Sequence, residues 1–106
     1  MRVPSRGELA AMRSSNYESV LRMHVESGDR QKVMDYTRMI FKTDSYAAFY
    51  AALHVGDMEV IQYVSDELMK SDDYSDWGRA GVGFMVLGKE DRIIEARNKI
   101  RSHFSY

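Results

Sequence analysis

The chain has 106 residues, one proline, no cysteine and a formal net charge of -1, with charges of both signs spread along it. This length suits one hydrophobic core, and the lack of cysteine excludes disulfides and thiolate metal sites. The balanced charge argues against general nucleic-acid binding, which favours an excess of Lys and Arg on one face. The longest apolar run, 80–87, is too short to span a bilayer, and the N-terminus lacks the apolar core of a signal peptide, so we expect a cytoplasmic protein.

The first predicted element is a short lead-in helix over about 6–13. The sequence Ser-Arg-Gly-Glu at 5–8 is a capping-box pattern, in which serine and glutamate side chains cap the first turn of a helix. The only proline, Pro4, precedes this pattern, so no proline interrupts the helices that follow. The polar run Ser-Ser-Asn at 14–16 predicts the end of the lead-in helix and supplies a cap for the next one.

Three helical hairpins are predicted after this break, over about 16–42, 44–70 and 74–104. Each hairpin is centred on a glycine, and an aspartate that suits the N-terminal end of a helix follows the first two glycines. Thr43 or Asp44 is expected to cap the second hairpin. No Gly/Ser tract separates the hairpins, so residues 1–106 are expected to form one all-α domain, a short solenoid of three stacked helix-turn-helix units.

The three hairpins align when Gly28, Gly56 and Gly88 are superimposed, an alignment we call the glycine frame. Mostly apolar residues recur five, eight and twelve positions after the glycine, a spacing that forms one face of a helix with period 3.6. These positions hold Val33, Ile61 and Ile93; then Tyr36, Val64 and Ala96; then Ile40, Leu68 and Ile100. Each second helix is therefore predicted to be amphipathic.

The third hairpin matches a known pattern at Trp77, Ala80, Gly81 and Phe84, followed by Gly88. This stretch resembles the first helix of the tetratricopeptide repeat, W-x2-L-G-x2-Y. In that pattern an aromatic residue wedges between the two helices, a glycine one turn later permits close approach, and a second aromatic fills the adjacent space. The resemblance extends over about 17–104, with degenerate copies in the first two hairpins, and implies stacked hairpins.

Two features depart from that family or compete with it. Large residues replace the small ones that the tetratricopeptide family favours in its second helix, and the repeat length differs. The sequence Gly-Asp-Met-Glu-Val-Ile at 56–61 also resembles an ankyrin turn, although the Thr-Pro-Leu-His opening of that repeat is absent from the sequence.

Residues suited to catalysis or metal binding are sparse. His24 and His54 occupy different places in the glycine frame, so they are not expected to share a metal with His103, the third histidine. The glycines of 78–83 lie within a predicted helix, which argues against a phosphate-binding loop. The acidic stretch 57–76 lacks the ligand spacing of a calcium loop and indicates a solvated face, or a contact for a basic partner. We therefore predict no catalytic residues, no metal and no cofactor.

One predicted surface points to binding. If the hairpins stack as the resemblance implies, their first helices build a concave inner surface, and most of the side chains assigned to it are apolar. The run 82–87 is hydrophobic nearly all round, so either the protein itself or a partner must cover it. The residues predicted to hold an amphipathic helix of a partner are Arg22, Val25, Tyr46, Tyr50, Leu53, His54, Val82, Met85 and Val86. In the alternative, the lead-in helix or the C-terminal segment folds over this surface.

This architecture is similar to that of the small tetratricopeptide-type chaperones that hold the needle subunit of type III secretion systems. In that family a second small protein completes the complex, and a helix of the needle subunit lies in the concavity. The resemblance implies a non-catalytic protein with a protein partner and no contact with nucleic acid or membrane. A helical-repeat adaptor, for example a phage or bacterial regulator that inhibits a host protein, is the second hypothesis, and an enzyme is the third. The oligomeric state is left open.

Overall fold

The computed structural model describes residues 3–105, apart from the side chain of Ala10, so residues 1, 2 and 106 of the predicted domain lie outside the described residues. Within this range the chain forms six α-helices and no strand, which confirms the all-α prediction. The helices are α1 (Arg6–Ser27), α2 (Arg30–Thr43), α3 (Ser45–Val55), α4 (Met58–Met69), α5 (Tyr74–Leu87) and α6 (Glu90–His103).

The three glycine turns form as the sequence predicts. Gly28, Gly56 and Gly88 end their helices with φ angles of +78°, +76° and +70°. These left-handed conformations favour glycine because it has no Cβ. Asp29 and Asp57 then cap α2 and α4 by accepting hydrogen bonds from the backbone N–H groups of Lys32 and Val60. The turns therefore fix the three helix pairs α1/α2, α3/α4 and α5/α6.

The predicted break at 14–16 does not occur, because α1 is one continuous helix of 22 residues. Its start is predicted correctly, since Ser5 accepts a hydrogen bond from the N–H of Glu8. Serine and asparagine cost only a few tenths of a kcal/mol inside a helix. Ser14 is buried, so tertiary packing of the helix at this point offsets the weak local preference. The lead-in helix 6–13 and the first helix of the first hairpin are thus one element.

The core lies where the glycine frame places it. Among the positions five, eight and twelve after each glycine, those buried are Val33, Ile40, Ile61, Val64, Leu68 and Ala96. Tyr36, Ile93 and Ile100 are half-buried and pack against this core. Beyond the contacts within each helix pair, α1 and α2 pack on α3, and α4 packs on α5. The result measures 47 × 41 × 19 Å, a slab about two helices thick.

Gly83 sets the distance between α4 and α5. A Cβ placed on Gly83 would lie 1.9 Å from the Oγ of Ser65 and 3.1 Å from its Cβ, so a larger residue fits only if the helices or Ser65 move. The sequence pattern assigns the close approach to Gly81. A Cβ on Gly81 would lie 3.7 Å from the Cβ of Ala96, which is ordinary contact. The glycine that permits the close approach is therefore Gly83, two residues after Gly81, and it faces α4 of the preceding hairpin.

Trp77 is buried, as the sequence pattern predicts, with 7% of its surface exposed. Its indole Nε1 donates a hydrogen bond of 2.7 Å to the backbone oxygen of Ser71. On α6, the Lys99 ammonium lies 4.8 Å from the centre of the Trp77 ring, and the ring of His103 packs edge-on against it. The indole thus ties the start of α5 to the loop before it and to the end of α6.

Among residues 3–105, none of the helices has the length and apolar character that a membrane span requires.

Candidate functional site

Two surface depressions contain most of the residues that the sequence analysis assigned to binding. The first is a cleft of about 410 Å³ between α1 and α3, which we call the α1/α3 cleft. Its α3 wall consists of Tyr46, Tyr50 and His54, spaced four residues apart and so aligned on one helix face. Its α1 wall consists of Gly7, Ala11, Ser14, Ser15 and Glu18. The first half of α1 therefore lies beside the predicted binding residues of α3 and forms part of the site.

A tyrosine pair lies at one end of the α1/α3 cleft. The hydroxyls of Tyr46 and Tyr50 are 3.4 Å apart, and their ring centres are 5.0 Å apart. The guanidinium of Arg79, on α5, lies 4.3 Å from the centre of the Tyr46 ring, and that of Arg6, on α1, lies 5.4 Å away. One aromatic ring of the second hairpin thus contacts both the first and the third.

The neighbours of Tyr46 and Tyr50 change their acidities in opposite directions. The hydrogen bond between the two hydroxyls lowers the pKa of Tyr46, and the positive charges of Arg79 and Arg6 lower it further. The same hydrogen bond raises the pKa of Tyr50, and burial adds to the effect. The geometry allows either hydroxyl to be the donor of this bond.

A salt-linked cluster lies at the other end of the cleft. The two carboxylate oxygens of Glu18 lie 2.8 Å from Nη2 of Arg22 and 3.2 Å from Nδ1 of His54. Arg22 also donates to the backbone oxygen of His54 at 3.3 Å. The hydrogen bond from Arg22 is the main cause of a lowered pKa at Glu18, with His54 contributing. Because Glu18 is stabilised as a carboxylate by two partners, it is a poor general base.

The second depression is a groove of about 240 Å³ on the outer side of the last hairpin, which we call the α5/α6 groove. Its lining consists of Trp77, Gly78, Gly81, Val82 and Met85 from α5 and Ile93, Ala96, Arg97, Ile100 and Arg101 from α6. The lining is apolar apart from the two arginines. Val82 is 45% exposed and Met85 is 63% exposed, so large apolar side chains face solvent here.

The glycine frame explains why Met85 is exposed. Its equivalents three residues before the other glycines, Val25 and Leu53, are half-buried and pack against the core. Five of the six helices, α1 to α5, pack against a helix of another hairpin. The described chain places no further hairpin on α5 and α6. The α5/α6 groove is therefore an unpartnered hairpin face.

The predicted binding residues thus divide into three groups. Arg22, Tyr46, Tyr50 and His54 meet at the α1/α3 cleft, and Val82 and Met85 line the α5/α6 groove. Val86 is 51% exposed on the same helix but outside the groove lining. Val25 and Leu53 are half-buried against the core and line neither depression. The sequence predicted a single inner surface for these residues. In the structure they lie at two separate depressions, one between α1 and α3 and the other between α5 and α6.

Several site residues were not found from the sequence. Glu18 stands four residues before Arg22, which is the spacing of an ion pair on a helix and could have indicated it. Ile93 and Ile100 were assigned to the core, and they are only partly covered by it. Arg97 and Arg101 carry no sequence signal beyond their four-residue spacing.

Among residues 3–105, no group of three or more His, Asp or Glu side chains is arranged to hold a metal ion.

Comparison with known proteins identifies no relative of this chain. No protein-family model matches the chain, and no curated protein or solved structure is significantly similar to it.

Proposed function

We propose that the protein is a non-catalytic binding module, which acts in the cytoplasm and holds an amphipathic helix of a protein partner in the α5/α6 groove. The observation that carries this proposal is the exposure of Val82 and Met85 in a groove whose floor is apolar. Exposed apolar surface of this kind, bordered by charged side chains, marks sites where proteins bind each other. Methionine suits such a site because its flexible thioether adapts to the partner.

The packing of the hairpins supports the three-repeat solenoid as part of this proposal. Val20, Ala48 and Ala80 stand eight residues before the three glycines, and only Val20 is exposed. Val25, Leu53 and Met85 stand three residues before them, and only Met85 is exposed. At each of these two positions, the side chain is thus exposed only in a terminal hairpin. This is expected if the hairpins stack in sequence order and each covers part of the next.

The α1/α3 cleft is the weaker of the two binding candidates. Its polar groups are largely paired with one another, through the two tyrosine hydroxyls and through Glu18 with Arg22 and His54. A partner would have to replace these hydrogen bonds on binding, whereas the α5/α6 groove offers apolar surface whose burial is favourable.

The resemblance of 77–88 to the tetratricopeptide-type secretion chaperones supports one form of this function. In that form the partner is a secreted helical subunit, and a second small chaperone completes the complex. The alternative form is a helical-repeat adaptor, such as a phage or bacterial regulator that inhibits a host protein. Identification of the partner by affinity purification and mass spectrometry separates the two.

Met85→Glu is the variant that tests the groove. Because Met85 touches little in the free protein, we expect helicity and Tm close to those of the wild type. We expect loss of the captured partner, since a charge would be buried unpaired in an apolar contact. Tyr50→Ala is less suitable as a probe, because Tyr50 packs against the core and would destabilise the fold.

Met39→Glu is the matched control, because Met39 is 54% exposed on α2, away from the groove. This variant should retain the partner. Equal recovery of the partner with the Met85 and Met39 variants would contradict the proposal, and so would a large fall in the Tm of Met85→Glu alone.

A further inference from the structure

The rim of the α5/α6 groove carries two arginines that pair with no carboxylate among residues 3–105. Arg97 and Arg101 stand one helical turn apart on α6, and both are exposed. Six other arginines, on α1, α2, α5 and α6, each form an ion pair with a carboxylate. No carboxylate within residues 3–105 pairs with Arg97 or Arg101, so both guanidinium groups are available to a bound partner.

The floor of the groove is made of small residues. Gly78 has open space where its Cβ would be, and Gly81 faces the Cβ of Ala96 at 3.7 Å. The walls are large apolar side chains, with Trp77 and Ile100 at one end and Met85 and Ile93 toward the other. A helix can approach such a floor closely while its apolar side chains fill the space between the walls.

A second copy of the chain, stacked as the third hairpin stacks on the second, is a poor occupant of this groove. Where α4 packs on α5, Ser65, nine residues after its glycine, faces Gly83, five residues before the next. In a copy stacked in the same way, Met23, five residues before Gly28, would lie against Arg97, nine residues after Gly88. Two long side chains cannot reproduce the serine–glycine contact, so a second copy does not fit the groove in this arrangement.

We propose that the α5/α6 groove is specific for an acidic amphipathic helix, whose apolar face lies on the groove and whose carboxylates pair with Arg97 and Arg101. This proposal rests on the proposed function and adds the charge of the partner. Arginine suits the role because its planar guanidinium binds a carboxylate through two parallel hydrogen bonds. The apolar floor supplies affinity, and the arginine pair selects the sign of the charge and orients the helix.

The test uses two synthetic helical peptides and the intact protein. Both peptides carry leucines along one face, and the residues beside that face are glutamates in one peptide and lysines in the other. Trp77 is the only tryptophan in the sequence and lines the groove, so a change in its emission reports binding. We expect the glutamate peptide to bind about tenfold more tightly than the lysine peptide, and this preference should shrink at high salt.

The paired variant Arg97→Glu with Arg101→Glu should reverse the preference and favour the lysine peptide. Lys32→Glu with Lys89→Glu is the control, because it changes the net charge equally at two helix N-termini outside the groove lining. The control should keep the wild-type preference.

Three results would overturn the proposal in distinguishable ways. If neither peptide binds the wild type, the binding function of the groove fails as well. If both bind equally and the arginine variant changes nothing, the groove binds helices but does not select acidic ones. If the free protein dimerises in sedimentation experiments and Met85→Glu makes it monomeric, the occupant is a second copy of the chain.

Discussion

At the level of single residues, the contact between Ser65 and Gly83 leaves less room for a Cβ than the surroundings of any other glycine in the chain. Ser65 is fully buried, and its hydroxyl has no hydrogen-bond partner within residues 3–105. A buried hydroxyl without a partner is unfavourable, so hydrogen bonding does not account for a serine here. Its small volume does account for it, because the Cβ of Ser65 lies only 3.1 Å from where a Cβ on Gly83 would be.

Alanine substitutions at two glycines of α5 should have opposite effects. Gly83→Ala should lower the free energy of unfolding by about 1–3 kcal/mol, since the new methyl group overlaps Ser65. Gly81→Ala should leave it unchanged or raise it by about 0.5–1 kcal/mol, because alanine is the better helix former and ordinary contact is available. Urea denaturation followed by circular dichroism measures both.

The double variant Ser65→Ala with Gly83→Ala is the control for that comparison. Removal of the Ser65 oxygen eliminates the closest overlap, so the double variant should regain part of the lost stability. If Gly83→Ala proved no less stable than Gly81→Ala, the close approach of α4 and α5 would be wrong.

Trp77→Ala should lower the free energy of unfolding by roughly 3–5 kcal/mol, the usual range for removing a buried aromatic side chain. The native protein should show blue-shifted tryptophan emission, since Trp77 is the only tryptophan and is buried. Trp77→Phe should cost less, because it keeps a ring in the core while losing the hydrogen bond to Ser71. Emission typical of water-exposed tryptophan would contradict the burial of this side chain.

At the level of helices and turns, the turn at Gly56 and Asp57 both caps a helix and connects two hairpins. Asp57 caps α4 and also accepts two hydrogen bonds from Arg30, at 2.7 and 2.8 Å. Arg30 belongs to the first hairpin, so the aspartate that begins α4 also joins two hairpins. The third turn has Lys89 at the cap position and no side-chain cap, although Glu90 and Asp91 in the first turn of α6 favour its N-terminal end.

The charge of Asp57 should make stability depend on pH. Arg30 lowers the pKa of Asp57 below its ordinary value, and the backbone N–H of Val60 adds to the effect. The folded state therefore favours the ionised form. This contribution should be complete above the unfolded pKa of ~3.9 and should disappear as the pH falls through the lower folded pKa.

Asp57→Asn isolates this charge, because asparagine caps helices about as well as aspartate. The stability difference between wild type and Asp57→Asn should be constant at neutral pH and should shrink below about pH 4. Asp29→Asn is the control, since Asp29 caps α2 in the same way but forms no ion pair within residues 3–105. A difference that is independent of pH down to acid unfolding would contradict the role of Arg30.

The helices themselves were largely predictable, because glycine turns and a period of 3.6 act over a few residues. The continuity of α1 was not. Ser-Ser-Asn at 14–16 resembles a helix end, and what keeps it helical is the burial of Ser14. Burial against another helix depends on residues far along the chain, which local patterns do not contain.

At the level of the whole molecule, the sequence predicted which residues share a helix face. It did not predict which of these faces lie side by side in the fold. Tyr46, Tyr50 and His54 share a face because of their spacing, and they do line one cleft. Their separation from Val82 and Met85 depends on how the last hairpin is set against α4. The close approach of α4 and α5 depends on the small residues Ser65 and Gly83. They lie 18 positions apart in the sequence, and no local pattern pairs them.

The ring of Tyr46 has a consequence for how the protein unfolds. In an array whose units touch only their neighbours, an end unit can open while the others stay folded. Here Arg6 of the first hairpin and Arg79 of the third contact one ring of the second, so opening either end removes a contact that the middle unit makes. Each end hairpin therefore loses a contact when that ring is removed, and hydrogen exchange in α1 and α5 should increase together in Tyr46→Ala.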